Sequence, residues 1–94
     1  MAHVLVRVKV KDQAEWKKGF EGASSLRKTF GSRGVHAFAS ADDPNAIVIM
    51  GEYESHDKAR EMFQTQEFRD ITQKAGVIGA PEVVYLTSVA DMAA

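Results

Sequence analysis

Residues 3 to 10 alternate without a break, with Val4, Val6, Val8 and Val10 on one side and His3, Leu5, Arg7 and Lys9 on the other. A period of two built on β-branched residues predicts a strand with one buried face. After Asp12 the apolar positions recur every three to four residues: Trp16, Phe20, Ala23, Leu26 or Arg27, and Phe30. That spacing predicts an amphipathic helix of about four to five turns. Asp12 and Glu15 have the separation of an N-cap and its capping-box partner. Gly31, opening Gly31-Ser32-Arg33-Gly34, supplies a left-handed cap at the far end.

Residues 35–40 predict a short second strand and residues 46–53 a third, centred on Ile47-Val48-Ile49-Met50. Between them, Asp42-Asp43-Pro44-Asn45 reads as the turn of a hairpin, with Pro44 fixing φ. Ser55 caps a second helix, and Asp57 places a negative charge in its first turn. Ala59, Met62 and Phe63 set its buried side. At Thr65-Gln66-Glu67-Phe68 the apolar phase shifts, which predicts a kink or restart. Phe68, Ile71 and Ala75 carry the stripe on to Gly76. Residues 77–81 read as a loop and 82–89 as the last strand.

The order is β-α-β-β-α-β, so the fold class is α+β, a single ferredoxin-like domain over residues 1–94. Right-handed crossovers put both helices on one face of a four-stranded antiparallel sheet, ordered fourth, first, third, second. The other face is then bare. Leu5, Phe38, Met50 and Leu86 or Tyr85 fall on or near it. An uncovered apolar face is a liability for a monomer, and a second copy packed sheet to sheet removes it.

Composition narrows the chemistry. The 94 residues carry 12 basic and 13 acidic side chains, for a net charge of −1. That balance, with no basic run, points away from nucleic acid. There is no cysteine, so disulfides, thiolate catalysis and cysteine-bound metals are excluded. No apolar run approaches the roughly 20 residues that span a bilayer, and the chain opens on a strand pattern rather than a signal peptide. A cytoplasmic protein with no membrane partner is expected.

The Val-rich first strand leads into Asp12-Gln13-Ala14-Glu15-Trp16. Asp42-Asp43-Pro44-Asn45 follows, and then Glu52-Tyr53-Glu54-Ser55 running on to Ala59. Gln66-Glu67-Phe68 and Ala75-Gly76-Val77 come before the final strand. With these segments the chain resembles the dimeric α/β-barrel superfamily, and in particular the antibiotic-biosynthesis monooxygenase-like proteins. The resemblance covers nearly the whole chain. It implies a homodimeric barrel with a pocket for a small aromatic or enolisable molecule, inside the barrel or between sheet and helices. Members of the superfamily include cofactor-independent oxygenases, lactone isomerases and haem enzymes. The haem degraders' helical histidine with supporting Asn and Trp has no match here, so no cofactor is expected.

Several polar residues fall on the predicted strands. His36 shares a face with Phe38 and Ser40, and an imidazole there is placed to take a proton from a phenol or enol. The competing assignment is a histidine at the subunit interface or hydrogen-bonded in the sheet. Arg7 and Glu52, on strands expected to be neighbours, are either an ion pair or, for Arg7, a clamp on a carboxylate or enolate oxygen. Tyr53 and Tyr85 offer hydroxyls to a substrate oxygen or simply pack. The expected catalytic set is therefore His36, Arg7 and Tyr85. The expected pocket is Leu5, Phe38, Met50, Glu52, Tyr53 and Trp16. His3 and His56 read as solvated, and no ligand spacing supports a metal. The main expectation is a small-molecule-binding homodimer, catalytic as a cofactor-independent monooxygenase or isomerase. The alternative is a non-catalytic ligand-binding or self-association module.

Overall fold

A computed structural model of the protein describes residues 2–94. The elements run β1 (Ala2–Val10), α1 (Gln13–Gly22), α2 (Ser24–Thr29), β2 (Ser32–Ser40), β3 (Asp43–Tyr53), α3 (His56–Gln64), α4 (Gln66–Lys74) and β4 (Val77–Leu86). The strands form one antiparallel sheet in the order β2-β3-β1-β4. This is the ferredoxin-like βαββαβ arrangement, with each helical crossover delivered as two short helices.

Local chemistry explains the breaks. Asp12 caps α1 by accepting from the Ala14 and Glu15 amides. The Glu15 carboxylate does not close a capping box and lies instead 3.6 Å from Lys18 Nζ. The predicted single helix divides at Ala23, whose amide bonds back to Phe20 and Glu21. Gly22, Ser24 and Ser25 around it are weak helix formers. Thr65 ends α3 and starts α4. Its hydroxyl donates to Met62 O at 2.7 Å and accepts from Phe68 N at 3.1 Å. Gly31 and Gly76, at φ 80° and 82°, turn the chain in the left-handed region where glycine carries no penalty.

The strand limits differ from those the pattern predicts. The hairpin turn is tighter, at Ala41 and Asp42, because Ser40 already pairs with Asp43. Pro44 sits in an irregular stretch, beyond the β1 pairing that ends at Ala46, where no ladder bond needs its missing N–H. The expected loop at 77–81 belongs to β4. It pairs with β1 through a bulge between Arg7 and Lys9, and Gly79 takes φ 72° there.

The core lies between the sheet and the helices. Val4, Val6, Val8 and Val10 meet Trp16, Leu26, Ile47, Tyr53, Ala59, Met62 and Ala75. The α1 and α4 ends approach closely where Gly19 faces Ala75; a Cβ on Gly19 would stand 2.8 Å from the Ala75 Cβ. No helix among the described residues is long and apolar enough to cross a membrane.

Candidate functional site

Register divides the expected site residues between two faces. On β1, Leu5 and Arg7 point away from the helices. Their partners Met50 and Val48 on β3, and Val84 and Glu82 on β4, share that face. His36 and Phe38 join it through pairing with Met50 and Val48. The bare face thus holds Leu5, Arg7, His36, Phe38, Met50 and Glu52, with Phe38 58% exposed. A shallow groove on it is lined by His3, Arg33, His36, Met50 and Glu52.

The ion pairing on this face differs from the expected one. Arg7 pairs with Glu82 across β4 at 2.9 Å, not with Glu52. Glu52 lies opposite His3, 3.8 Å from its Nδ1. Arg7 stands opposite Val48 in the β3 register, four pairs away from Glu52. Lys9 and Asp43 complete the charged rim at 2.6 Å. Its hydrogen bond to Lys9 holds the Asp43 carboxyl below its ordinary value.

Tyr85 pairs with Val4 and so lies on the helix side, away from His36 and Arg7. There the Arg60 guanidinium sits 4.3 Å from its ring centre and His56 packs edge-on at 5.6 Å. His56 is not solvated as expected: its Nε2 lies 3.0 Å from the Leu86 carbonyl oxygen, which it is placed to hold as a donor. Leu86, one position on, takes the bare face with Val84.

Trp16 and Tyr53 come together on the covered side. Both are buried, and both line a cavity of about 70 Å³ between sheet and helices. Its wall is aromatic and aliphatic, with Phe20, Met62, Phe63 and Phe68 alongside them. Trp16 stacks on Phe20 with ring centres 4.8 Å apart, and Phe63 meets Phe68 edge-on at 5.0 Å. Gly51 makes room for the tyrosine ring; a Cβ there would stand 3.0 Å from Tyr53 Cε1.

Three lining side chains are polar: Arg27, Tyr53 and Thr72. The Arg27 guanidinium lies over the Phe20 ring, 4.3 Å from its centre. Burial lowers the Arg27 pKa, an effect the neighbouring Tyr53 opposes. Burial raises the Tyr53 phenol, which keeps it protonated and able to donate. That hydroxyl makes no hydrogen bond among the described residues, yet no buried side-chain polar atom is left without a partner. The hydroxyl therefore reaches open space. Arg27 had a signal in the sequence, since it lies seven residues after Phe20 and so on the apolar stripe. A cation at a core-facing position is informative because it needs a reason to be there.

No histidine, aspartate or glutamate among the described residues lines this cavity. Among the described residues, no group of three or more His, Asp or Glu is placed to hold a metal ion.

No protein-family model matches the sequence, and no curated protein matches it. Solved structures do match. One is a protein from Bordetella bronchiseptica assigned to the antibiotic biosynthesis monooxygenases, with a TM-score of 0.82 at 18% identity, covering 95% of this chain and 97% of that one. SnoaB, a cofactor-independent oxygenase from Streptomyces nogalater, superposes with a TM-score of 0.80 at 16% identity over 99% and 97% of the two chains. A monooxygenase from the ActVA-Orf6 gene of Streptomyces coelicolor, solved with nanaomycin D, gives 0.69 at 24% identity over 97% and 89%. Strand order, crossovers and these superpositions agree: the chain has the ferredoxin-like fold of the antibiotic biosynthesis monooxygenases.

Proposed function

We propose that the protein is a small homodimer that holds a small aromatic molecule between its sheet and its helices. The observation that carries this proposal is the apolar cavity walled by Trp16, Phe20, Tyr53, Phe63 and Phe68. Its roughly 70 Å³ is well below the ~300–1,000 Å³ of a ligand-sized pocket. A ring therefore enters only as the Trp16–Phe20 and Phe63–Phe68 pairs move apart. Their rings are half-buried, apart from Trp16, so movement toward the surface is open to three of the four.

SnoaB is a cofactor-independent oxygenase, and the Streptomyces coelicolor monooxygenase is seen in complex with the ligand nanaomycin D. Carried to this chain, these support cofactor-independent oxygenation of an aromatic or enolisable substrate. The absence of any imidazole or carboxylate from the cavity wall favours a second reading, a binding module without chemistry, because general-base catalysis needs such a group within reach. His36 and Arg7 meet a ligand only if it lies in a barrel interior between two bare faces. Otherwise they are interface residues. Tyr85 reaches neither space in this arrangement.

The pairing of two copies rests on the bare face, where Leu5, Phe38, Val48, Met50, Val84 and Leu86 form an apolar field edged by charge pairs. Native mass spectrometry of freshly purified protein tests both parts. Twice the chain mass with a reproducible small adduct is expected. A monomer would overturn the pairing. A dimer with no adduct, and no quenching of Trp16 by any aromatic compound, would overturn the ligand site.

A further inference from the structure

Among the described residues Arg27 is the one charged side chain on the cavity wall. It is half-buried, and it forms no ion pair and no side-chain hydrogen bond among the described residues. Among the described residues six Lys or Arg side chains pair with carboxylates elsewhere, none of them Arg27. A partly desolvated cation without an anion is costly, and folded proteins normally give it a partner. Phe20 satisfies only its face. A guanidinium stacked on a ring still has its N–H donors free around the edge, in the plane that suits a carboxylate or another oxyanion. The open Tyr53 hydroxyl beside it supplies one more donor.

We propose that the cavity selects aromatic ligands carrying an acidic oxygen and binds them as the anion, with Arg27 donating to that oxygen and Tyr53 supplying a second hydrogen bond. This rests on the cavity being the ligand site and adds what it takes. The aromatic wall fixes the ring, and the polar corner fixes which end enters first. Burial keeps the Tyr53 phenol protonated, so it acts as a donor and does not repel the anion. The ligand's charge also supplies the counter-ion that the described residues do not give Arg27.

Trp16, the only tryptophan of the chain, lines the cavity and reports on it. The probes are 4-nitrophenolate and its uncharged methyl ether, 4-nitroanisole, at a pH where the phenol is ionised. Quenching of Trp16 is measured with each, corrected for probe absorbance. The phenolate is expected to bind about tenfold more tightly than the ether, the scale of one charge-assisted hydrogen bond. In Arg27→Gln that preference is expected to fall to about twofold or less, with the ether still quenching as proof of an intact cavity. Tyr53→Phe is expected to remove a smaller part of it. Equal binding of both probes to the wild type, or a preference that survives Arg27→Gln, overturns the anion assignment while the ether keeps the cavity as a ligand site. Failure of both probes to quench the wild type overturns the cavity itself, and the anion assignment falls with it.

Discussion

On the covered face of the sheet, Val4, Val6, Val8 and Val10 are at most 9% exposed. One residue along the same strand, Leu5 is half-buried while Arg7 and Lys9 are exposed. The two faces share a backbone and differ only in what the alternation presents. The covered face is uniformly branched and apolar, packs against four helices and keeps one charge, Arg27, at the edge of a cavity. The bare face mixes an apolar centre with two cross-strand ion pairs and the His3–Glu52 contact. A face built only for solvent would not need Leu5, Phe38, Met50, Val84 and Leu86 together, and a face built only for a core would not carry Arg7, Lys9 and Glu52. On the proposal that two copies pair, this mixed face is the one that would be covered.

The largest effect expected from this contrast is in the core. Met62 is 2% exposed, and Met62→Ala should cost about 2–5 kcal/mol in urea unfolding. Leu5→Ala should cost less, and its cost should depend on protein concentration, as it does when stability is shared with a partner subunit. Equal, concentration-independent losses would erase the distinction between the faces. Next comes Met50→Lys, which puts an unpaired charge at the centre of the bare face. Sedimentation should show the proposed dimer weakened by more than about tenfold, or ~1.4 kcal/mol, while the circular dichroism of the chain is retained. A dimer of unchanged affinity would place the interface elsewhere.

Smaller effects sharpen the covered side. Gly31 holds φ 80°, and a Cβ there would meet Lys58 Cδ at 3.1 Å and Glu54 Cγ at 3.2 Å. Gly31→Ala should cost at least about 1–2 kcal/mol from the left-handed backbone alone. The smallest effect is a pH dependence. Burial raises the Tyr53 phenol above its ordinary 10.0, so the unfolded chain releases this proton first. Above that value the native state holds more protons than the unfolded one, and stability falls as pH rises. This contribution is fully present below pH 10 and is lost on the way up to the native value. The urea midpoint of wild type should therefore fall relative to that of Tyr53→Phe as pH rises beyond 10. Parallel curves would mean that Tyr53 is not desolvated.

Much of the frame is legible in the residues. The Val4–Val10 alternation gives β1 its direction and buried side. Asp12, Ser55, Gly31 and Gly76 mark helix ends because each carries the capping chemistry in its own side chain or lack of one. Thr65 marks the break between α3 and α4 through the change in apolar phase around it. What is not legible depends on contacts between distant segments. Glu82-Val83-Val84-Tyr85-Leu86 has apolar residues on both sides, so no polarity contrast assigns Tyr85 to a face. Only pairing with Val4 does that. Arg7 meets Glu82 in the register that runs unbroken from His3 and Leu86, and the bulge beyond it moves Lys9 and Val10 to Ile78 and Val77, a pairing that no local pattern records. The candidate site was half visible for the same reason. Trp16 belongs to a periodic stripe, while the meeting of Tyr53 with Arg27 needs β3 and α2 to be brought together across the core.

The most direct test of the central claim is a two-dimensional NMR titration of the isotope-labelled protein with 4-nitroanisole, following the Trp16 indole and the methionine and valine methyl groups. If the ligand site is the cavity between sheet and helices, Trp16, Met62 and the methyls of Val4 and Val6 shift, while Met50, Val48 and Val84 on the bare face stay in place. Shifts confined to Met50, Val48, Val84 and His36 would contradict the account and move the site to the bare face.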